Sequence, residues 1–161
     1  MALSHAHPLL LLFLVSLFVL PALSIKFFKC STAGEDIEVK TVDISPHPVN
    51  RKGNANITVT GYTSKDIPDG ASVGVTLAVL IPISEKTYSL CDVTACPVAP
   101  GPFVLTIPNI FNDKALKRRT RAYNVIVTIN EEPEHARDVM CVNFVCKMRS
   151  SYMSLLSQVT E

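Results

Sequence analysis

The chain has 161 residues, with 15 Lys or Arg, 14 Asp or Glu and a formal net charge of +1. This length is sufficient for one domain with a sizeable core. The nearly neutral charge gives no support to a nucleic-acid-binding protein, which would carry a basic surface.

Residues 1–24 are predicted to be a secretory signal peptide. The apolar run from Pro8 to Leu20 is followed by Ala22-Leu23-Ser24, which supplies small residues for cleavage after Ser24. The alternative is a retained signal anchor, but the run is shorter than the roughly 20 residues that a membrane span needs, and Pro21 ends it. We therefore expect residues 25–149 to form the mature domain and residues 150–161 a C-terminal tail.

All cysteines follow the signal peptide, which directs them to an oxidising compartment where disulfides form. They are Cys30, Cys91, Cys96, Cys141 and Cys146. Because five is an odd number, one thiol stays free or pairs with another chain. The sequon Asn56-Ile57-Thr58 makes Asn56 a candidate glycosylation site if that strand edge is exposed.

Segments in which apolar and polar residues alternate predict seven strands, which follow a short apolar lead at Ile25–Phe28. In chain order they cover residues 36–45, 55–62, 73–83, 85–90, 103–107, 123–129 and 139–147. The alternation in the first strand changes phase between Val39 and Val42, which indicates a β-bulge. The prolines of Ser45-Pro46-His47-Pro48 cannot donate ladder hydrogen bonds, so the chain leaves the sheet there.

The strand from Val73 to Ile83 is predicted to be the longest and the most apolar. Its large side chains on one face are Val73, Val75, Leu77, Val79, Ile81 and Ile83. Pro82 indicates an edge position or a bend near its end. The segment then leads to a small loop between Cys91 and Cys96.

About seven strands, short turns, no convincing helix and no internal repeat predict an all-β fold, an immunoglobulin-like two-sheet β-sandwich. The chain contains no Trp, so it lacks the Cys-Trp-Cys spacing of a true immunoglobulin domain. Facing sheets normally interlock their side chains. The pattern alone therefore leaves open whether the apolar faces form a solid core or enclose a cavity.

Catalytic chemistry has little support in the sequence. His47 lies between prolines and His135 lies in a charged turn, and neither belongs to a nucleophile or metal-ligand pattern. Four residues separate Cys91 from Cys96, whereas a thioredoxin-type redox pair has two. We expect no enzyme, no metal ion and no cofactor; a hydrolase that uses His47 or His135 is the alternative.

Five segments, taken in order, resemble the ML domain family of secreted lipid-recognition domains. They are Val42–Val49, Ile57–Gly61, Leu90–Gly101, Tyr123–Val125 and Cys141–Phe144. The ISPxPV, C-x4-CPV and CVxF patterns within them are together fairly specific, and the match covers almost the whole mature chain. The family includes the Niemann–Pick soluble sterol carrier, the lipopolysaccharide-binding partner of a Toll-like receptor, and fungal and plant phosphatidylglycerol/phosphatidylinositol transfer proteins. The plant-type members look most similar.

The resemblance implies two sheets that separate to admit an acyl chain or a sterol. It also implies disulfides Cys91–Cys96 and Cys30–Cys141. The second would close a loop of over 100 residues, contribute roughly 4–5 kcal/mol, and tie the first strand to the last. Cys146 is close enough in sequence to Cys141 to compete for Cys30, although the family pattern favours Cys141.

On this resemblance, the apolar strand faces become the candidate lipid-binding surface. The predicted lining residues are Val75, Leu77, Val79, Val98, Phe103, Leu105, Tyr123, Val125, Val127, Val142 and Phe144. For the last strand the pattern does not show which residues face inward: either Val142 and Phe144 do, or Val139 and Val145 do.

The mouth of the cavity is expected near the Cys91–Cys96 loop, with Pro97 and Val98 on its rim. A basic run precedes an inner strand and is expected close to this mouth. Its members are Lys117, Arg118, Arg119 and Arg121. It is either a solvated turn or a patch that draws the protein to anionic headgroups.

These inferences predict a secreted, monomeric lipid-binding and transfer protein that holds a phospholipid or a sterol and moves it between membranes. The alternative is a recognition module that presents lipid to a receptor in signalling or defence. The predicted location is extracellular, or the lumen of a vacuole- or lysosome-like compartment.

Overall fold

The computed structural model describes residues 24–31, 34–51, 53–131 and 138–149. The predicted signal peptide up to residue 23, the tail at 150–161 and His135 lie outside these residues. Within them, the chain forms eight strands and two short helices. Their bounds are β1 Phe27–Lys29, β2 Ile37–Ser45, β3 Asn56–Thr63, β4 Ser72–Ala78, β5 Pro82–Ser89, α1 Leu90–Val93, β6 Gly101–Ile107, α2 Asp113–Lys117, β7 Ala122–Asn130 and β8 Asp138–Lys147.

The strands form two antiparallel sheets. The larger sheet has the order β1-β8-β7-β4-β5, and the smaller has the order β2-β3-β6. This confirms the predicted all-β, two-sheet sandwich. The strand that the sequence did not predict is β1, a three-residue edge strand within the apolar lead, where Phe27 pairs with Phe144.

The bulge predicted in β2 is present. The pairing of β2 with β3 shifts register between Val39 and Thr41, which leaves Lys40 as the extra residue. Because of this shift, Ile37, Val39 and Val42 all face the interior of the sandwich although their spacing is uneven. The strand ends at Ser45, before the two prolines, as expected.

The prediction of one long strand from Val73 to Ile83 was wrong. β4 ends at Ala78, the chain reverses through residues 79–81, and β5 begins at Pro82, which pairs back with Ala78. Pro82 therefore marks a hairpin turn. The alternating apolar pattern continued through this turn, which is why the sequence read as a single strand.

The two helices were also missed. The stretch at 109–121 contains α2, whose first turn is capped by Asn112: its side-chain oxygen accepts a hydrogen bond of 2.8 Å from the Ala115 amide. Asn followed by Asp113 is a helix-start signal. α1 covers the four residues Leu90–Val93 and includes Cys91.

Both disulfides that the resemblance implies are present, Cys30–Cys141 and Cys91–Cys96. Cys146 has a free, buried thiol. Cys30 follows β1 and Cys141 lies on β8, and these strands are neighbours in the larger sheet. The long-range disulfide therefore joins two strands of one sheet and does not cross the space between the sheets.

Candidate functional site

The two sheets present mainly apolar faces to each other, but the two flanks of the sandwich differ. On the β5 and β6 side, the segment 108–112 covers the gap. Tyr88 on β5 donates a hydrogen bond of 3.0 Å from its hydroxyl to the Pro108 carbonyl, and Lys86 donates from Nζ to the Phe111 carbonyl at 3.3 Å. Burial raises the pKa of Tyr88 above its ordinary value. This flank is closed by polar contacts.

The opposite flank, between β1 and β8 on one sheet and β2 on the other, contains an opening. Its cavity volume is about 180 Å³. The side chains or backbone that line its interior belong to Phe27, Ile37, Val39, Met140, Cys141 and Val142. The lining residues Lys29, Glu35 and Glu38 are exposed to solvent and form a charged rim. The opening therefore combines an apolar interior with a charged border.

Backbone hydrogen bonds frame this opening at both ends. The Ile25 amide donates to the Val42 carbonyl at 2.8 Å, so the first described residues cross from the larger sheet to the smaller one. At the other end, the Gly34 amide, in the segment that leads to β2, donates to the Asp138 carbonyl of β8 at 3.0 Å. Between these two crossings, no backbone ladder joins β1 and β2 in the described chain.

Most of the residues predicted to line the cavity lie on the inner faces of the two sheets and are buried. These are Val75, Leu77, Phe103, Leu105, Tyr123, Val125, Val127, Val142 and Phe144. Among them only Val142 lines the flank opening; the others pack in the core cluster. Val98 is buried outside the sheets, where its amide and carbonyl bond to Ile67.

Val79 is not on either inner face. It lies in the turn between β4 and β5, with a side chain that is 38% exposed. Val79 was predicted to line the cavity because the sequence pattern indicated one long strand from Val73 to Ile83, which the structure does not have. On the last strand, Val142 and Phe144 face inward and are buried, whereas Val145 faces outward and is 52% exposed. Val139 is buried too, because β8 shifts register next to Ile129.

The sequence missed Phe27, Ile37, Val39 and Met140 as lining residues of the opening. A signal existed for Ile37 and Val39, which alternate with charged residues in β2. No signal indicated which flank of the sandwich would stay open, since that depends on where the segment 108–112 packs.

The loop between Cys91 and Cys96, where the mouth was expected, lies at one end of the sandwich. A more open surface depression of about 430 Å³ is found beside it, lined by residues 94–104 except Cys96. Pro97 and Val98 belong to the lining of this depression. The depression is separate from the opening on the β1–β2 flank, which shares no lining residue with it.

The expectation that the basic run lies near this loop was wrong. β7 begins directly after Arg121, and its other end, Asn130, pairs with Ser72, which in turn pairs with Ser89 immediately before α1. Nine strand residues therefore separate the two features, a distance of about 27 Å. The basic run and the Cys91–Cys96 loop lie at opposite ends of the molecule.

Asn56 and His47 lie at the end that carries the basic run. Asn56 is exposed at the start of β3, and its side-chain oxygen accepts a hydrogen bond of 3.0 Å from the Asn109 amide. His47 is exposed in the loop after β2. In the part of the chain that the structure describes, no group of three or more His, Cys, Asp or Glu side chains is placed to hold a metal ion. No helix among these residues is long and apolar enough to span a membrane.

Fold and site together define an antiparallel β-sandwich with an apolar interior that is accessible from one flank. The chain belongs to the ML domain family, whose model (E1_DerP2_DerF2) matches residues 24–148. The members that it resembles include proteins named for lipid recognition and lipid transfer.

One relative is the MD-2-related lipid-recognition protein ROSY1 of Arabidopsis thaliana, which is 51% identical over 164 aligned positions and is covered in full, as is this chain. A phosphatidylglycerol/phosphatidylinositol transfer protein of Cryptococcus neoformans is 32% identical over 88 residues, which cover 50% of this chain and 49% of that protein. Among solved structures, a Niemann-Pick type C2 protein from the Japanese carpenter ant superposes with a TM-score of 0.57 at 13% identity. That match covers 77% of this chain and 99% of the ant protein and supports the fold.

Proposed function

We propose that this protein binds one lipid, a phospholipid or a sterol, between its two sheets and carries it between membranes. The observation that supports this most is the apolar opening on the β1–β2 flank with its charged rim. An acyl chain of sixteen carbons gains roughly 12 kcal/mol on leaving water, at about 0.8 kcal/mol for each methylene. An apolar interior therefore supplies most of the affinity, while a polar headgroup stays at the rim in water.

The volume of the opening implies that loading widens the sandwich. Ligand pockets for small molecules usually have volumes of about 300–1,000 Å³, and the opening has about 180 Å³. We expect β2 to move away from β1 and β8 as lipid enters, since no backbone ladder resists separation on this flank. Ile37, Val39 and Val142 then become contacts of the lipid.

The proposed site of action is the secretory route, either outside the cell or in the lumen of a vacuole- or lysosome-like compartment. Removal of the signal peptide, an N-linked glycan on Asn56 and a monomeric state are parts of this proposal. So is transient contact with a membrane surface through Lys117, Arg118, Arg119 and Arg121. Mass spectrometry of protein secreted from its native source would report the mature N-terminus, the glycan and the bound lipid together.

The test is uptake of lipid by the delipidated protein from vesicles, detected by native mass spectrometry. A Val39→Phe variant fills the opening and is expected to reduce uptake at least tenfold. Val104→Phe is the matched control, because Val104 lies on the outer face of the smaller sheet and is 52% exposed. It should load lipid as well as the unmodified chain.

Circular dichroism and thermal melting would establish that both variants are folded. Absence of lipid from the natively purified protein, together with no uptake from phospholipid or sterol vesicles, would contradict the proposal. Equal uptake by the Val39→Phe and Val104→Phe variants would show that the lipid binds elsewhere.

A further inference from the structure

The two ends of the sandwich carry opposite charge. We call the end formed by residues 46–51, 53–55, 79–81, 108–121 and 147–149 the basic end. Among its described residues one side chain, Asp113, is acidic, and eight are basic: Arg51, Lys114, Lys117, Arg118, Arg119, Arg121, Lys147 and Arg149.

The opposite end, formed by residues 30–31, 34–36, 64–71, 90–100, 131 and 138, we call the acidic end. Its described residues include one basic side chain, Lys65, and seven acidic ones: Glu35, Asp36, Asp66, Asp69, Asp92, Glu131 and Asp138. The strand register places the two groups about 27 Å apart, so the near-zero net charge conceals a molecule with a strong electrostatic axis.

The basic end also carries three exposed large apolar side chains in a row. In the turn between β4 and β5, Leu80 is 97% exposed and Ile81 is 69% exposed, and Val79 precedes them. Leu80 is free of the core because the chain reverses at this point. Among the described residues this cluster at the tip of a hairpin is not packed into the core, and exposed apolar groups of this kind mark interaction surfaces.

The backbone that carries the basic side chains is held in place. The Arg51 guanidinium donates hydrogen bonds to the carbonyls of Arg118 and Thr120, and the Tyr123 hydroxyl donates to the Ala115 carbonyl at 2.6 Å. The side chains of the basic run are nevertheless exposed. Their charge is therefore presented to solvent from a fixed scaffold.

We propose that the basic end is a docking surface for an anionic lipid bilayer, in which Leu80 and Ile81 enter the interface and the surrounding Lys and Arg side chains contact anionic headgroups. A convex apolar tip surrounded by positive charge matches a bilayer surface, where apolar residues insert and basic residues stay at headgroup level. The acidic end is repelled by the same surface, so the electrostatic axis orients the molecule before contact. This inference rests on the proposed carrier function, because a carrier must meet membranes, but it is measured without cargo.

The absence of Trp from the chain provides a direct test. A Leu80→Trp variant carries one indole at the tip, and its emission reports insertion. With vesicles of 30% phosphatidylserine in phosphatidylcholine, we expect a blue shift of the emission that disappears in pure phosphatidylcholine vesicles and in 0.5 M salt. Val104→Trp, on the outer face of the smaller sheet, is the matched control and should show no shift.

Charge reversal supplies the second measurement. Arg119→Glu is expected to weaken binding to the anionic vesicles at least fivefold, whereas Lys65→Glu at the acidic end, with the same change in net charge, should leave it unchanged. An unshifted Leu80→Trp spectrum, an equal shift at position 104, or equal effects of the two reversals would overturn the proposal.

The two proposals fail in distinguishable ways. If the protein takes up lipid from a cyclodextrin complex but does not bind vesicles, the docking proposal is contradicted and the lipid-binding proposal is not. If the protein binds anionic vesicles but never takes up lipid, the lipid-binding proposal is contradicted and the docking proposal is not.

Discussion

Cys146 is the cysteine that neither disulfide uses, and its environment explains why it can persist as a thiol. Its side chain is buried on the inner face of β8, and burial raises its pKa from 9.0 to about 12. Because the thiolate is the reactive form, a thiol held neutral at this position reacts slowly with oxidants and with other disulfides. The odd number of cysteines therefore does not require an intermolecular bond.

The shifted pKa of Cys146 predicts how stability depends on pH. The unfolded thiol ionises near pH 9 and the folded thiol near pH 12, so the unfolded state loses its proton first and the free energy of unfolding falls as pH rises through this window. The stability advantage of the unmodified chain over Cys146→Ala should be constant below pH 8 and shrink by about 2 kcal/mol between pH 8 and pH 10.5. Urea denaturation at a series of pH values measures the difference; a constant advantage would contradict the prediction.

Gly61, on the inner face of the smaller sheet, has no room for a side chain. A Cβ at this position would lie 2.7 Å from the Glu38 carbonyl oxygen and 2.8 Å from the Phe103 ring. We expect Gly61→Ala to lower the free energy of unfolding by roughly 1–3 kcal/mol, as overpacking does. Gly70→Ala is the control, because a Cβ there meets nothing within 4 Å. Equal melting temperatures for the two variants would show that the strand accommodates the methyl group.

At the scale of single residues, sequence pattern predicted inward-facing positions well wherever a strand was correctly bounded. Val125 and Val127 on β7 are buried as the alternation indicates. It failed at Val79 because hydrophobicity continues through a tight turn. It left β8 undecided because a register shift next to Ile129 buries Val139 as well as Val142.

The two disulfides act on different elements, and the entropic model separates their contributions. Cys30–Cys141 spans 111 residues of sequence and Cys91–Cys96 spans 5. Replacing both cysteines of the first pair by Ala should lower the free energy of unfolding by about 4–5 kcal/mol, and of the second pair by about 2 kcal/mol. Urea denaturation of the two double variants tests this order, and equal losses would mean that native-state contacts dominate over loop length.

The sequence predicted that most of the strands exist, but it predicted less well where they begin and end. Seven of the eight strands have alternating patterns that the sequence displays, while β1 has three residues and depends on pairing with β8. α2 is short, and its capping residue Asn112 lies in a polar stretch that reads equally well as a loop. Its position is fixed by tertiary contacts, such as the hydrogen bond from Tyr123 to Ala115, which local pattern does not contain.

For the molecule as a whole, bound lipid should act as a stabilising ligand. At a free lipid concentration 100 times the dissociation constant, the free energy of unfolding is expected to rise by about 2.7 kcal/mol. Thermal melting of delipidated and reloaded protein measures this gain. The Val39→Phe variant should show little of it, and a full gain in that variant would contradict binding in the flank opening.

The charge axis and the choice of open flank could not be predicted from the sequence. A formal net charge of +1 gives no indication of segregation, because strand order decides which loops meet at which end. Lys65 and Lys117 look equivalent in the sequence, yet they lie at opposite ends of the molecule. The Cys91–Cys96 loop and the basic run were expected together for the same reason.

The polar closure of one flank determines how the sandwich can open. Tyr88 and Lys86 attach β5 to the segment that follows β6, whereas no backbone ladder joins β1 to β2 in the described chain. We therefore expect the sheets to separate by a rotation about the β5–β6 side, with a hinge axis parallel to the strands. Under such a motion the width available to a guest increases with distance from the hinge, so a thin acyl chain and a broad, rigid ring system require different opening angles of the same scaffold and no change of its fold.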